Sequence, residues 1–166
     1  SNTPEAVRKP LYDILLKDVW QFCKKDGTNP SRQSRKDVYI DEAHEFADER
    51  NIQTFEFLAR NLVKEGRGFG IRTITATQNL SDFLALRKWG EGILDNSYFK
   101  FFMKLGENDL NVAKSLYKFS KAELRIVEGN EAKGKSVKGK GILCVAKQKI
   151  LVQINPTRKE WDMMEG

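Results

Sequence analysis

The sequence predicts an α/β fold: a mostly parallel sheet with helices on both faces and a C-terminal β-hairpin. Three observations lead there. Val38-Tyr39-Ile40 and Ile71-Arg72-Thr73-Ile74-Thr75-Ala76-Thr77 are β-type runs that end in polar residues, Asp41-Glu42 and Gln78 respectively. Between them Ile52, Phe55, Leu58, Ala59, Leu62 and Val63 recur at helical spacing, so strand, helix and strand alternate. Near the end, residues 141–146 and 149–155 form two more β-type runs with a couple of residues between them, the spacing of a hairpin.

The first element is a helix over residues 7–25, with apolar positions at Leu11, Ile14, Leu15, Val19, Trp20 and Phe22. A polar loop from Asp26-Gly27 to Arg35, containing Pro30, ends it. After the first strand, the helix that starts near Ile52 is expected to stop at Gly66. Ser81-Asp82 is placed to cap a short helix running through Leu86. Tyr98-Phe99-Lys100-Phe101-Phe102-Met103 reads as a third strand, and helices are expected over 109–117 and 121–128.

At 166 residues and 40% hydrophobic, the chain can bury one sizeable core, and it reads as a single partial domain over 1–166. It has no apolar run long enough to span a bilayer and no secretory leader pattern. Cys23 and Cys144 lack metal-ligand spacing and read as buried thiols of a reducing cytosol, and a single histidine argues against the usual zinc sites. A balance of 29 basic to 23 acidic residues, net +6, permits an anionic partner without establishing one. Ser1-Asn2 reads as a tag-cleavage remnant and is excluded from the fold argument.

Polar residues at adjacent strand ends suggest a nucleotide-hydrolysing site, because open α/β sheets place ligands beyond the carboxyl ends of their strands. Phosphoryl transfer needs a group to hold Mg²⁺, one to orient water and one to neutralise charge. Asp41 suits the metal or its water shell, Glu42 the polarisation of the attacking water, and Gln78 a hydrogen bond to that water or to the γ-phosphate. Arg67, in the turn Gly66-Arg67-Gly68-Phe69-Gly70, could supply positive charge to the transition state, most plausibly in a neighbouring subunit's site. Taken singly these residues have plainer readings: a helix N-terminal cap for the acids and a solvated loop arginine for Arg67.

Three strings carry a resemblance: Tyr39-Ile40-Asp41-Glu42-Ala43-His44, Glu65-Gly66-Arg67-Gly68-Phe69-Gly70 and Thr75-Ala76-Thr77-Gln78-Asn79-Leu80-Ser81-Asp82. Together they resemble the ATPase domain of type IV secretion and conjugative-transfer ATPases, the VirB-four type of the FtsK/HerA clan. The likeness runs from about Val38 to the end, through Ile93-Leu94-Asp95-Asn96, Phe119-Ser120-Lys121-Ala122-Glu123, Gly141-Ile142-Leu143, and Pro156 ahead of Glu160. It implies a truncated RecA-like P-loop NTPase layer structure, with Asp41-Glu42 as the Walker B pair, Gln78 as the strand-end glutamine and Arg67 as the arginine finger. ATP and Mg²⁺ are the implied cofactors. The implied parent is a cytoplasmic hexamer, peripheral at the inner membrane, partnered with channel and coupling proteins. His44 falls at a position that varies in that family, and reads as structural or edge-of-site.

The departure from the pattern is the phosphate loop: no G-x-x-x-x-G-K-[ST] occurs, so the chain reads as a C-terminal fragment, inactive in isolation. Missing a first strand, it is expected to expose apolar surface and to self-associate. The basic segment within 133–149 (Lys133, Lys135, Lys138, Lys140, Lys147 and Lys149) reads either as a DNA-backbone contact or as a solvated hairpin loop, and the lack of an interleaved aromatic favours the loop. Two other functions stay open: a DEAH-type helicase fragment, from Asp41-Glu42-Ala43-His44 with Thr75-Ala76-Thr77, and a non-catalytic docking module.

Overall fold

In a computed structural model of the chain, residues 5–27, 35–47, 51–129 and 139–165 are described. They fall into two compact units that divide after Ser97. The first unit contains α1 (Glu5–Gly27), β1 (Lys36–Ile40), α2 (Ile52–Phe57), β2 (Ile71–Thr75), α3 (Leu80–Ala85) and α4 (Arg87–Asn96). The second contains β3 (Phe99–Phe102), α5 (Glu107–Tyr117), α6 (Lys121–Val127), β4 (Lys140–Val145), β5 (Gln148–Gln153) and α7 (Arg158–Glu165).

β1 and β2 pair in parallel, Lys36 opposite Ile71 and Ile40 opposite Thr75, as strand–helix–strand order requires. Among the described residues only one face of this pair is covered. Ile40 and Ile71 point into the core, while Asp37 and Arg72 form a cross-strand ion pair on the other face, where Tyr39 is 70% exposed. The Arg72 guanidinium, chiefly by its hydrogen bond, holds the Asp37 carboxyl below its ordinary range. The expectation of helices on both faces therefore fails among the described residues, because the period-2 pattern of β1 is that of a half-covered sheet. The expectation of a mostly parallel sheet is also corrected. β3 joins the hairpin instead, in an antiparallel sheet of order β3-β4-β5.

α1 packs through Leu16, Trp20 and Cys23, spaced four and three apart on one stripe. Leu11, Ile14, Leu15 and Phe22, expected to face inward, are exposed. A 23-residue helix with apolar residues on two sides buries only the side that faces the core. These side chains and Tyr39 are exposed apolar surface.

The helix that begins as α2 widens into π-type turns over Leu58–Glu65 and tightens to 3-10 over Gly66–Phe69. Its stop is Gly70, in the left-handed region at φ 72°, rather than Gly66, whose φ of −55° is helical. Phe55 is fully enclosed and meets Phe83 edge-on at 5.3 Å; burial of this size contributes about 2–3 kcal/mol. Ser81 and Asp82 lie inside α3, which is preceded by Asn79 without a side-chain cap. α4 had no clear sequence signal, since Gly90 and Gly92 interrupt its pattern.

In the second unit the expected helices and hairpin are present. Ser120 and Glu123 form a reciprocal capping box at the start of α6, and the bond from the Ser120 backbone N–H draws the Glu123 carboxyl below its ordinary range. α7 was not expected, although Thr157 and Glu160 form the same kind of box before it: the Thr157 N–H donates to Glu160 Oε2 at 2.7 Å, and the Glu160 N–H to Thr157 Oγ1 at 3.3 Å. The turn joining β4 and β5 holds Ala146 at φ 52°, a left-handed value that a Cβ disfavours. Ala146→Gly is expected to stabilise the chain by about 0.5–1 kcal/mol. Denaturant unfolding checks this, and an unmoved or lowered midpoint would count against strain at the turn.

Candidate active site

The parallel register sets both strand ends at the same level, and the pairing continues past them. The Ala76 N–H donates to the Ile40 carbonyl at 2.9 Å, and the Ala43 N–H donates to the Ala76 carbonyl at 2.8 Å. Between these bonds Glu42 adopts a left-handed backbone, φ 48° and ψ 47°. This costs about 1 kcal/mol for a residue with a Cβ. It breaks the strand alternation, so Ala43 and Phe46 of the following 3-10 turn enter the core. Tyr12 of α1 packs on Phe46, ring centres 4.9 Å apart, and holds that turn against the helix.

Three of the four predicted site residues converge here. The Gln78 side-chain amide donates to Glu42 Oε1, linking the ends of β1 and β2 directly. With its nitrogen so used, Gln78 keeps its carbonyl oxygen as an acceptor. Asp41 is exposed beside them, its Oδ1 accepting the Glu42 N–H at 2.9 Å. Glu42 Oε2 is shielded from solvent and accepts no hydrogen bond of good geometry; the nearest cation-capable group is His44 Nδ1, 3.3 Å away.

His44 was assigned no chemical role from sequence, yet it belongs to this group. Its ring is 15% exposed, and Nδ1 lies 3.1 Å from Thr77 Oγ1 on the β2 side. The available signal was Thr77 next to Gln78, which puts a hydroxyl at the same strand end.

Arg67 lies elsewhere. Its turn precedes β2, and the Gly70 carbonyl beyond it accepts from the Lys36 N–H at the start of β1, at 3.1 Å. Arg67 is therefore at the amino end of the sheet, a five-residue strand length, about 17 Å, from Glu42. Phe69 fixes the turn by meeting Trp20 of α1 edge-on at 5.3 Å, so the exposed Arg67 side chain projects from an anchored loop.

No group of three His, Cys, Asp or Glu side chains among the described residues could hold a metal ion. The donor set still fits Mg²⁺, which commonly takes one or two carboxylates and completes its shell with water and phosphate oxygens. Asp41, exposed and with Oδ1 accepting the Glu42 N–H, is the carboxylate suited to that role.

No protein-family model and no curated protein matches this chain. A solved structure does. VirB4 of Thermoanaerobacter pseudethanolicus matches over 97% of the chain with a TM-score of 0.80 and 26% identity. The chain is similar in structure to a segment of that VirB4. It covers 40% of that VirB4 chain. The mixed α/β architecture, one parallel and one antiparallel sheet, is that of the VirB4 segment. No described helix is long and apolar enough to cross a membrane.

Of the basic segment, Lys133, Lys135 and Lys138 lie outside the described residues. Lys149 is engaged within the second unit: its Nζ donates to the Lys118 carbonyl at 2.9 Å, approaches Glu123 Oε2 at 3.4 Å and sits 5.0 Å above the Phe119 ring. Among the described members Lys147, on the hairpin turn, is exposed, and Lys140 and Lys149 are half-buried.

Proposed function

We propose that this chain is the carboxyl-terminal part of an ATP-hydrolysing motor of a type IV secretion or conjugative-transfer system, in a RecA-like layer arrangement completed by upstream sequence. The observation that carries the proposal is the Gln78–Glu42 hydrogen bond, which unites two strand ends 36 residues apart into one carboxylate–amide pair. The VirB4 likeness supports it.

In this reading Asp41 would hold Mg²⁺ or its water shell, and Mg²⁺ when bound would offset charge on the phosphates. Glu42 accepts a proton from the attacking water, and Gln78 both fixes the Glu42 carboxylate and offers its carbonyl to that water. Arg67 serves the site of the next subunit in a hexamer. The parent docks at the inner membrane face against channel and coupling proteins, and Lys140 and Lys147, with the lysines of 133–138, are the DNA-contact candidates.

Glu42→Gln in the full-length parent tests the assignment. Magnesium-dependent ATP turnover is expected to fall at least about 100-fold, with nucleotide binding retained. Unchanged turnover would remove Glu42 from the chemistry and favour a docking module.

A further inference from the structure

We propose that His44 is a positioning residue for Glu42, its Nδ1–H holding the Oε2 side of the carboxylate while anchored on Thr77. The inference rests on the reading of Glu42 as the water-activating base.

Three contacts carry it. Gln78 binds Glu42 Oε1. The other oxygen, Oε2, is withdrawn from solvent without a hydrogen-bond partner among the described residues, and the His44 Nδ1 lies 3.3 Å from it. The same Nδ1 is 3.1 Å from Thr77 Oγ1. The Thr77 hydroxyl has one proton, and the Asn79 carbonyl, 3.2 Å away, takes it. Thr77 Oγ1 also accepts the Asn79 N–H at 3.1 Å. It can then meet His44 only as an acceptor, so the proton between them belongs to Nδ1. An Nδ1–H is also the form that attracts Glu42 Oε2; a bare Nδ1 would set a lone pair against a carboxylate oxygen inside a shielded site. On its far side the ring faces Glu45, with Nε2 to Oε1 at 3.8 Å, too long for a hydrogen bond.

The consequence is mechanical. The Glu42 carboxylate is then steered from the end of β2 on both sides, Oε1 by the Gln78 hydrogen bond and Oε2 by charge attraction to the His44 Nδ1–H, which itself rests on Thr77. A base whose angle depends on two neighbouring residues of the other strand loses its aim when either support is removed, and small displacements at a reacting centre are costly in rate.

Two measurements test this. The chain contains one histidine, so ring ¹⁵N signals of the 166-residue chain report His44 alone. The Nδ1–H tautomer is expected in wild type and is expected to be lost when both of its acceptors go, in a Glu42→Ala, Thr77→Val double variant; an Nε2–H tautomer in wild type would overturn the proposal. In the full-length parent, His44→Ala is expected to lower kcat for ATP hydrolysis about 10- to 100-fold with little change in KM. His44→Asn, whose amide can put a donor near the Nδ1 position, should recover much of the rate, and His44→Gln, whose amide reaches further, should not. Wild-type kcat in His44→Ala, or equal rescue by Asn and Gln, would sink the idea. If His44→Ala does not fold, the Asn and Gln pair and the tautomer still decide. Failure of the underlying reading is separable: then Glu42→Gln itself leaves turnover unchanged, while the tautomer still reports the Thr77 contact.

Discussion

Arg67→Ala in the full-length parent is expected to abolish nearly all ATP turnover, by about 10³-fold or more, if it supplies a finger to a neighbouring site. The geometry gives this a sharper form than simple loss. Arg67 stands about 17 Å from Glu42 along the sheet, on a turn fastened to α1 by the Phe69–Trp20 contact. The Glu42 end is fastened to the same helix by Tyr12 on Phe46. Tyr12 and Trp20 are eight residues apart, about 12 Å of helix rise, so one rigid element holds the two ends apart. Arg67 cannot swing into its own subunit's Glu42 site without releasing that anchor. Mixing Arg67→Ala subunits with Glu42→Gln subunits should therefore restore turnover, because some interfaces then pair an intact Glu42 with an intact Arg67. Two inactive variants that stay inactive when mixed, under conditions where wild-type subunits exchange, would show that Arg67 does not act across an interface.

Gly90→Ala is expected to destabilise the first unit by about 3 kcal/mol, among the largest effects available from one methyl group. A Cβ at Gly90 would lie 2.3 Å from the Phe83 carbonyl oxygen and 3.1 Å from the Leu84 Cα. Both are backbone atoms of α3, so no side-chain rotation relieves the clash. Relief requires moving α4 off α3, which loosens Phe83 and Ile93, both in the core. Gly92, two residues on in the same helix, is the control. A Cβ there meets nothing within 4 Å, and Gly92→Ala is expected to stabilise by up to about 1 kcal/mol through helix propensity. Denaturant unfolding of both variants separates the effects. Equal shifts of the same sign would mean that α3 and α4 are not packed as described.

Much of the architecture is legible in local pattern. The two hairpin strands, the helices around residues 109–117 and 121–128, and the β1–helix–β2 order follow from alternation, helical spacing and turn length, which act between near neighbours. The capping box at Thr157 and Glu160 was equally readable, and its helix could have been anticipated. α4 was not, because Gly90 lowers helix propensity at the place where close packing needs a missing side chain. The buried side of α1 was misjudged for a related reason. Leu11, Ile14, Leu15 and Phe22 are as apolar as Leu16, Trp20 and Cys23, and only the position of the partner chooses between them.

The sequence by itself determined which residue types stand at the ends of β1 and β2, because a β-type run followed by a carboxylate or an amide is a local fact. Tertiary structure alone decided that His44 and Thr77 join Glu42 and Gln78 at that place and that Gln78 binds Glu42 directly. That outcome depends on parallel pairing in a single register and on one left-handed residue after β1. The tertiary structure likewise decided that β3 joins the hairpin rather than the parallel pair. Backbone pairing between distant segments has no signature in spacing, since the hydrogen-bonding groups of every strand are the same.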